Sequence, residues 1–380
     1  MTATLAPGPV LELLRSLIAI PSVNPTLAPD EAHGEAKVAA FAAAWLSARG
    51  VAARLEEAAP GRPNVYAEVG EGHGPTLCLC AHLDTVGTAG MTIAPFEPLV
   101  EGSRVYGRGG YDMKGGVAAV MAAAAEIAAT GGVPGKLMLA LVADEEYASL
   151  GAADFVRRHR ADGCILTEPS AQELILGHKG FVWAEITTRG RAAHGSDWAH
   201  GVSAVGKMGR IITELGLFDR DVLRTRVHPL VGPASLHCAT VAGGTGVSTY
   251  APGCRLQVER RTLPGETPEQ VARELAEVVH AAGEEAEVNC FFDRPPLLCD
   301  REERVAVALR AAARAVTGAD PNEAGVGYWM DAALFAAAGI PAVNYGPDGA
   351  GAHEAVEWVD LDSVVAVARV LTETARGFCR

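Results

Sequence analysis

The stretch from Thr76 to Asp84 constrains the fold more than any other part of the sequence. Its first six residues, 76–81, form an apolar run that is typical of a fully buried β-strand. His82 and Asp84 follow directly, and side chains two residues apart on an extended segment point the same way. A metal-bound histidine often donates its second ring nitrogen to a carboxylate placed in this manner. The alternative interpretation is an ordinary loop histidine after a buried strand.

Acidic side chains also follow the next predicted strands and the turn between them. Asp112 lies in a glycine-rich turn that precedes an alanine-rich helix, and two later apolar runs end at the acidic segment 144–146 and at Glu168. Because ligands collect at the carboxyl ends of parallel strands, we expect these carboxylates to lie near His82. Taken singly, Asp112 is also explained as a helix cap, and segment 144–146 as a solvated acidic loop.

The order of predicted elements indicates an α/β protein with an insertion. Strands and helices alternate before residue 179 and after residue 292, which predicts an α/β fold with a mostly parallel sheet. Between these points the predicted order βαββαβ, with half-buried alternating strands, indicates a two-layer, ferredoxin-like α+β module. We therefore predict a discontinuous metal-binding domain, residues 1–178 and 293–380, interrupted by an inserted domain, residues 179–292.

Composition and charge argue against several classes of partner. The 380-residue chain has a net charge of −14, and its 32 lysines and arginines form no basic run, which argues against nucleic acid and anionic membranes. No apolar stretch approaches the ~20 residues of a membrane span, and the N-terminus lacks the pattern of a signal peptide. The eight cysteines form no Cys-x-x-Cys pair, so we expect free thiols and a reducing, cytoplasmic location.

The candidate metal ligands are two histidines and three carboxylates: His82, Asp112, Glu146, Glu168 and His353. This set is too large for one four-coordinate zinc ion, but it suits two ions about 3.5–4 Å apart that share one carboxylate. Such a pair lowers the pKa of a water molecule toward ~7 and polarises a carbonyl group. A general base is still required. Of the adjacent pair Glu145 and Glu146, one would bind metal and the other would move protons.

Five motifs, in register along the chain, resemble a known family. They are His-Leu-Asp-Thr-Val at 82–86, Gly-Arg-Gly-Gly-Tyr-Asp-Met-Lys-Gly-Gly at 107–116, Asp-Glu-Glu at 144–146, Thr-Glu-Pro at 167–169 and Gly-Ala-His-Glu-Ala-Val-Glu at 351–357. They are similar to those of the di-zinc deacylase and exopeptidase family of acetylornithine deacetylase, succinyl-diaminopimelate desuccinylase, aminoacylase and carboxypeptidase G. The resemblance implies a zinc-hydrolase catalytic domain with an inserted dimerisation or lid domain. It also implies a cytoplasmic homodimer that acts in amino-acid biosynthesis.

The resemblance implies a role for each candidate ligand. His82, Asp112 and Glu168 would hold one ion. Asp112, Glu146 and His353 would hold the other, so that Asp112 bridges the two. The expected cofactors are two divalent ions, zinc first, with cobalt or manganese as alternatives.

The resemblance also implies roles for four further residues. Asp84 would orient His82, and Glu145 would be the general base. In the inserted domain, His194 would reach the active site of the partner subunit to stabilise the oxyanion, and Arg261 would bind the substrate carboxylate. Without the resemblance, His194 is interpreted as an exposed loop residue and Arg261 as a surface charge at a strand end.

One motif departs from the family pattern. Residues 329–333, Trp-Met-Asp-Ala-Ala, occupy the position where deacetylases and desuccinylases often carry Thr-Asp-Ala-Arg, whose threonine and arginine are associated with the substrate carboxylate. This departure does not affect the predicted metal ligands, but it leaves the acyl group and the amino acid of the substrate undetermined.

Three functional hypotheses follow from these residues and motifs. The leading one is a metal-dependent amide hydrolase that removes an acyl group from an N-acyl amino acid. A carboxypeptidase or dipeptidase that acts on short peptides is the nearest alternative, and a non-catalytic metal-binding protein is a more distant one. A phosphate loop at 107–110 is rejected because the form Gly-x-x-x-x-Gly-Lys-Ser/Thr is absent.

Overall fold

The computed structural model describes residues 5–31 and 33–380, which form two compact units. The first unit comprises the chain up to Leu176, together with Cys299–Ala324 and Met330–Arg380. The second comprises Gly177–Leu298 and the short segment Gly325–Trp329, which lies outside the insertion predicted from the sequence. Within the described residues, no helix is both long and apolar enough to cross a membrane.

The elements alternate along the chain as the sequence pattern predicts. The helices are α1 (Pro7–Ile18), α2 (Ala36–Ser47), α3 (Gly115–Ala129), α4 (Leu150–Arg158), α5 (Ala204–Asp221), α6 (Pro268–Ala281), α7 (Arg304–Thr317), α8 (Ala332–Ala337) and α9 (Leu361–Phe378). The strands are β1 (Ala52–Ala59), β2 (Arg62–Val69), β3 (Thr76–His82), β4 (Leu99–Glu101), β5 (Arg104–Tyr106), β6 (Lys136–Val142), β7 (Gly163–Leu166), β8 (Leu174–His178), β9 (Gly180–Arg189), β10 (Val227–His228), β11 (Gly232–Pro233), β12 (Ser235–Gly243), β13 (Gly253–Thr262), β14 (Ala286–Arg294), β15 (Leu297–Leu298), β16 (Glu323–Val326), β17 (Ala342–Asn344), β18 (Gly349–Ala350) and β19 (Trp358–Asp360).

The first unit is built on a mixed sheet with a parallel centre. Its strands lie in the order β1-β2-β6-β3-β7-β17-β8, and the four central strands β6, β3, β7 and β17 run parallel to one another. Helices pack on these strands, so β3 and β6 are buried along almost their whole length. This burial explains why both strands read as continuous apolar runs and not as alternating ones. The predicted mostly parallel α/β fold is confirmed.

The glycine-rich turn before α3 brings that helix close to the end of β7. A Cβ atom on Gly116 would lie 2.3 Å from the backbone oxygen of Thr167, a separation that no real side chain tolerates. Glycine is therefore required for this approach. The turn carries Asp112, and Thr167 precedes Glu168, so the close packing brings two predicted metal ligands into the same region.

The second unit contains the predicted βαββαβ order as an antiparallel sheet with two helices. The strands lie in the order β12-β13-β9-β14, and every neighbouring pair is antiparallel. This arrangement is the ferredoxin-like order expected from the sequence. Residues from the sheet and from α5 and α6 form its core, including Ile186, Leu215, Leu256 and Leu275.

Candidate metal centre

The predicted ligands of the first ion lie together at the carboxyl edge of the parallel strands. His82 is the last residue of β3, and its Nε2 atom lies 3.1 Å from Oδ1 of Asp112 and 3.5 Å from Oε1 of Glu168. Glu168 follows β7, which is the neighbour of β3 in the sheet. The strand order therefore explains why residues far apart in the sequence converge here.

The predicted ligands of the second ion converge on the other oxygen of Asp112. The Nε2 atom of His353 lies 3.2 Å from Oδ2 of Asp112 and 3.1 Å from Oε2 of Glu146. Asp112 thus directs one carboxylate oxygen to each histidine. Ligand atoms that surround a tetrahedral zinc ion at 2.0–2.2 Å lie roughly 3.3–3.6 Å apart, close to the separations seen here.

A buried oxygen also fits a cation at this point. Oε1 of Glu146 is buried and has no hydrogen-bond partner among residues 5–31 and 33–380. A buried carboxylate oxygen without a donor is costly unless a cation faces it. The donor set of imidazoles and carboxylates, with one shared carboxylate, therefore fits two divalent ions.

The protein's own charges strongly perturb the ionisation of this cluster. Burial, and then the negative charge of Asp112, raises the pKa of Glu146 to about 7. Burial and the charge of Glu168 raise the pKa of Glu145 above its usual range. The hydrogen bonds to Asp112 and Glu146 raise the pKa of His353 to about 10. Such mutually repelling carboxylates are stabilised by protonation or by bound cations, so the cluster is suited to a metal centre.

His82 is held from its far side by Asp84. Its Nδ1 atom lies 3.0 Å from the backbone oxygen of Asp84 and 3.6 Å from the carboxylate oxygen Oδ1. The sequence pattern predicts the Asp84 carboxylate as the partner of His82, but the backbone oxygen of Asp84 makes the shorter contact. Either group can fix the tautomer of a histidine that binds metal. The Asp84 carboxylate also accepts the backbone N–H groups of Glu145 and Glu146, each at 3.1 Å.

Glu145 and Glu146 both lie in the turn that follows β6. Carboxylate oxygens of Glu145 and Glu168 and a ring nitrogen of His82 lie within 4.8 Å of one another, and the same holds for His82, Asp112 and Glu146. Glu146 also contacts His353. Glu145 is therefore beside the cluster and is not needed to complete either predicted ligand set.

Glu357 is a buried carboxylate whose role sequence reasoning did not identify, although it ends the motif that contains His353. Its Oε1 accepts the backbone N–H groups of Tyr111 (2.9 Å) and Asp112 (3.0 Å). Its Oε2 accepts the N–H of Gly109 (2.9 Å) and pairs with Arg108 (2.7 Å). Glu357 therefore anchors the turn that presents Asp112. Its spacing of four residues from His353 is the signal that could have found it.

Asp331 is a second carboxylate that the sequence left without a role. It is 1% exposed, and its charge contributes to the raised pKa of Glu145 and of Glu168. It lies within the departing motif, 329–333, which lacks the threonine and arginine of the family pattern. Its proximity to the cluster depends on tertiary packing, so no local pattern predicts it.

The two remaining predicted residues belong to the second unit. His194 is exposed, and its Nδ1 atom lies 2.8 Å from Oγ of Ser196. Arg261 donates from Nε to Glu259 at 2.7 Å, and its guanidinium lies 5.3 Å from the ring centre of Phe181. The roles assigned to His194 and Arg261 stay predictions.

The site combines two histidines with several carboxylates at the carboxyl edge of a parallel sheet, and a further glutamate lies beside them. This combination is typical of a metal-dependent hydrolase of the α/β class. The sequence profile of peptidase family M20/M25/M40 matches residues 78–377. The chain belongs to this family of dinuclear metal enzymes, and it is an enzyme that hydrolyses amide bonds.

Individual relatives agree with this membership. The acetylornithine deacetylase of Proteus mirabilis is 32% identical over 266 residues, 68% of each chain. The succinyl-diaminopimelate desuccinylase of Halorhodospira halophila is 28% identical over 378 residues, 94% of this chain and 96% of its own. The crystal structure of a tripeptidase from Staphylococcus aureus superposes with a TM-score of 0.81 at 22% identity, over 99% of both chains; that likeness concerns the fold alone.

Proposed function

We propose that this protein removes an acyl group from an N-acyl amino acid by hydrolysis of the amide bond. The observation that carries the proposal is the shared carboxylate of Asp112, which faces His82 with one oxygen and His353 with the other. This geometry supports two ion sites, with Glu145 outside both predicted ligand sets and proposed for proton transfer. Curated relatives named as a deacetylase and a desuccinylase support the deacylase over other amide hydrolases.

In the proposed mechanism each side chain has one task. His82, Asp112 and Glu168 would hold one ion, and Asp112, Glu146 and His353 would hold the other. Bound divalent ions polarise an amide carbonyl and lower the pKa of water. Zinc is the first choice because imidazole and carboxylate ligands suit it, with cobalt and manganese as alternatives.

Glu145 is the proposed general base. It takes a proton from the attacking water molecule and passes it to the nitrogen of the departing amine as the C–N bond breaks. Burial and the charge of Glu168 raise its pKa, which brings a carboxylate closer to the pKa that efficient proton transfer requires near neutral pH. Asp84 orients His82 and, through its bonds to the backbone of Glu145 and Glu146, the base as well.

We further propose that residues 179–292 are the inserted dimerisation and lid domain. The outer strand β12 is exposed from His237 onward and forms one edge of the four-stranded sheet, which offers a surface for a second copy. Within such a homodimer, His194 would stabilise the oxyanion in the partner's site and Arg261 would bind the substrate carboxylate. A cytoplasmic location and a role in amino-acid biosynthesis belong to the same proposal, supported by eight free thiols in the described chain.

A peptidase that acts on short peptides is the second candidate, and the departing motif supports it. Trp329 stands in that motif, donates from its indole to the backbone oxygen of Pro295 at 3.0 Å, and packs edge-on against Phe181. Met330 and Ala333 stand at the threonine and arginine positions of that motif, and neither side chain can bind a carboxylate as those residues would in deacetylases and desuccinylases. The substrate pocket therefore differs from theirs even if the chemistry is the same.

The test is release of free amine from a panel of N-acetyl, N-succinyl and N-formyl amino acids and of dipeptides, with and without added zinc or cobalt. We expect a metal-dependent signal on at least one N-acyl amino acid. Activity on dipeptides alone would support the peptidase. No activity on any compound, despite two bound metal ions per chain, would contradict the proposed substrate class.

A further inference from the structure

In the first unit, a series of buried polar side chains connected by hydrogen bonds ends at the turn that contains Glu145, the proposed base. Arg62 donates from Nε to Oε2 of Glu35 at 2.6 Å and from Nη2 to Oδ1 of Asp144 at 2.8 Å. Glu35 is 0% exposed, Arg62 8% and Asp144 1%. Buried charges of this kind are retained only where they are paired, and here one guanidinium connects two carboxylates.

Asn24 extends this series of hydrogen bonds from Asp144 to Asp84. Its Nδ2 donates to Oδ2 of Asp84 at 2.8 Å and to Oδ1 of Asp144 at 3.0 Å. Its Oδ1 accepts the backbone N–H groups of Thr26 and Leu27, at 2.9 and 3.1 Å. Because these two donors fix the oxygen side of the amide, the nitrogen side must face the two carboxylates. We call Glu35, Arg62, Asp144, Asn24 and Asp84 the buried polar network.

The network holds both ends of the turn that presents Glu145. On one side the Asp84 carboxylate accepts the N–H groups of Glu145 and Glu146. On the other side Asp144 has a φ angle of +72°, a left-handed conformation that is uncommon for residues other than glycine and that aspartate adopts when its side chain is held by hydrogen bonds. The side-chain bonds of Asp144 to Arg62 and Asn24 are such contacts.

The charges show why donors are needed at this position. Asp84 and Asp144 are buried carboxylates that contact the same amide group, and like charges repel strongly where water is excluded. Asn24 supplies one N–H to each carboxylate, and Arg62 supplies a positive charge to Asp144. Without these donors the two carboxylates would separate, and the backbone of Glu145 and Glu146 would move with them.

We propose that Arg62 and Asn24 are positioning residues for catalysis: they hold the Asp144–Glu146 turn so that Glu145 lies beside the metal centre and Glu146 faces His353. This inference rests on the proposed function of those two glutamates. Among the described residues, neither Arg62 nor Asn24 forms a hydrogen bond or ion pair with a predicted metal ligand side chain. Arg62 acts through Asp144, and Asn24 acts through Asp84 and Asp144.

The experiment compares two variants with a matched control. The double variant Arg62→Met/Glu35→Leu removes Arg62 together with one of its two carboxylate partners, which limits the loss of stability, and leaves Asp144 with the hydrogen bond from Asn24. The variant Asn24→Asp keeps the shape of the side chain but replaces its donor by an acceptor. Arg157→Met, at an arginine that is 73% exposed and paired only with Asp154 in the described chain, is the control. For each, we would measure kcat, KM, the melting temperature and the visible absorption spectrum of the cobalt-loaded protein.

We expect kcat to fall by about 10–100-fold in both variants, the range typical of residues that orient metal ligands, while KM changes little. The cobalt spectrum should change, since it reports the geometry of the ligands, and Arg157→Met should resemble the wild type in every measurement. A lowered melting temperature with wild-type kcat and spectrum would show a structural role only and would overturn the proposal. If either variant fails to fold, Arg62→Gln, which removes the positive charge beside Asp144, takes its place, and a wild-type kcat and spectrum in that variant would overturn the proposal equally.

The cobalt spectrum separates this inference from the proposed function. If the wild type hydrolyses none of the panel, the proposed substrate class fails, but altered cobalt spectra in both variants would still support the positioning role. If the wild type is active and both variants match it, the positioning role fails and the proposed function stands.

Discussion

At the scale of single residues, two carboxylates define the candidate metal centre: Asp112 is shared between the two predicted ion sites, and Glu145 belongs to neither. Asp112 divides its two oxygens between His82 and His353, so the loss of Asp112 would affect both ion sites at once. Glu145 belongs to neither predicted ligand set. This difference allows the ligand role and the base role of adjacent acidic residues to be tested separately.

Replacement of Glu145 by glutamine should remove proton transfer and leave the ligands in place. We expect kcat to fall by ~10²–10⁴-fold while two metal ions per chain are retained, because Glu145→Gln alters no predicted ligand. Metal content by mass spectrometry and kcat on the best substrate of the panel check this. Glu302→Gln, at a glutamate that is 73% exposed, is the control. Wild-type turnover in Glu145→Gln would exclude it as the base.

The raised pKa of His353 predicts how the metal-free protein responds to pH. Hydrogen bonds to Asp112 and Glu146 raise this pKa from 6.5 to about 10. A histidine with a raised pKa in the folded state contributes stability that is complete below pH 6.5 and is lost as pH rises toward 10. The pKa of Glu146 is raised from 4.5 to about 7, so this group also lowers the stability of the folded protein as pH rises, but at lower pH. The effect of His353 should therefore be measured above pH 7.

We therefore expect the melting temperature of the metal-free wild type to fall between pH 7 and 10 more steeply than that of metal-free His353→Gln. Metal binding must displace the same proton, so metal affinity should rise over this range. Equal pH slopes in the two proteins would contradict the assignment.

At the scale of elements, the start of α3 is a tightly constrained packing contact near the site. Alanine normally stabilises a helix relative to glycine by about 1 kcal/mol. At Gly116 the sign should reverse, because the added Cβ would lie 2.3 Å from the backbone oxygen of Thr167 and 2.7 Å from its hydroxyl. We expect Gly116→Ala to lower the free energy of unfolding by about 1–3 kcal/mol and to weaken metal binding, since α3 and the turn that carries Asp112 must shift.

The matched control is Gly209→Ala in α5, where a Cβ would have no atom within 4 Å among the described residues. That variant should be as stable as the wild type or more stable. Chemical denaturation and chelator competition measure the two effects. A neutral or stabilising Gly116→Ala would show that α3 does not depend on this close approach.

At the scale of the whole molecule, the proposed homodimer makes the active site a shared one. If His194 acts in the partner's site, His194→Ala should lower kcat with little change in metal content. Mixing His194→Ala with Glu145→Gln should then restore part of the activity, because each mixed dimer contains one site with both functional residues. Sedimentation and subunit-exchange measurements must accompany the assay. Proven exchange without recovered activity would contradict the shared site.

Much of the site was predictable from local sequence pattern. The apolar runs predicted β3, β6 and β7 within a residue or two, because strands buried on both faces carry apolar residues at every position. Each run ends in a potential ligand, and parallel strands bring such ends to one edge. The ferredoxin-like order of the second unit was also predictable, since its strands are half buried and therefore alternate.

By itself the sequence determined the family, the kinds of side chain at the centre and the strands that carry them, because these depend on residue type and on local periodicity. Only the tertiary structure decided which groups touch. Glu357 anchors a turn about 250 residues earlier in the chain, and Arg62 contacts Asp144, which lies 82 positions later. Such contacts are set by how strands and helices pack in three dimensions. No local pattern records them, because a buried charge requires a partner but the sequence does not say which one.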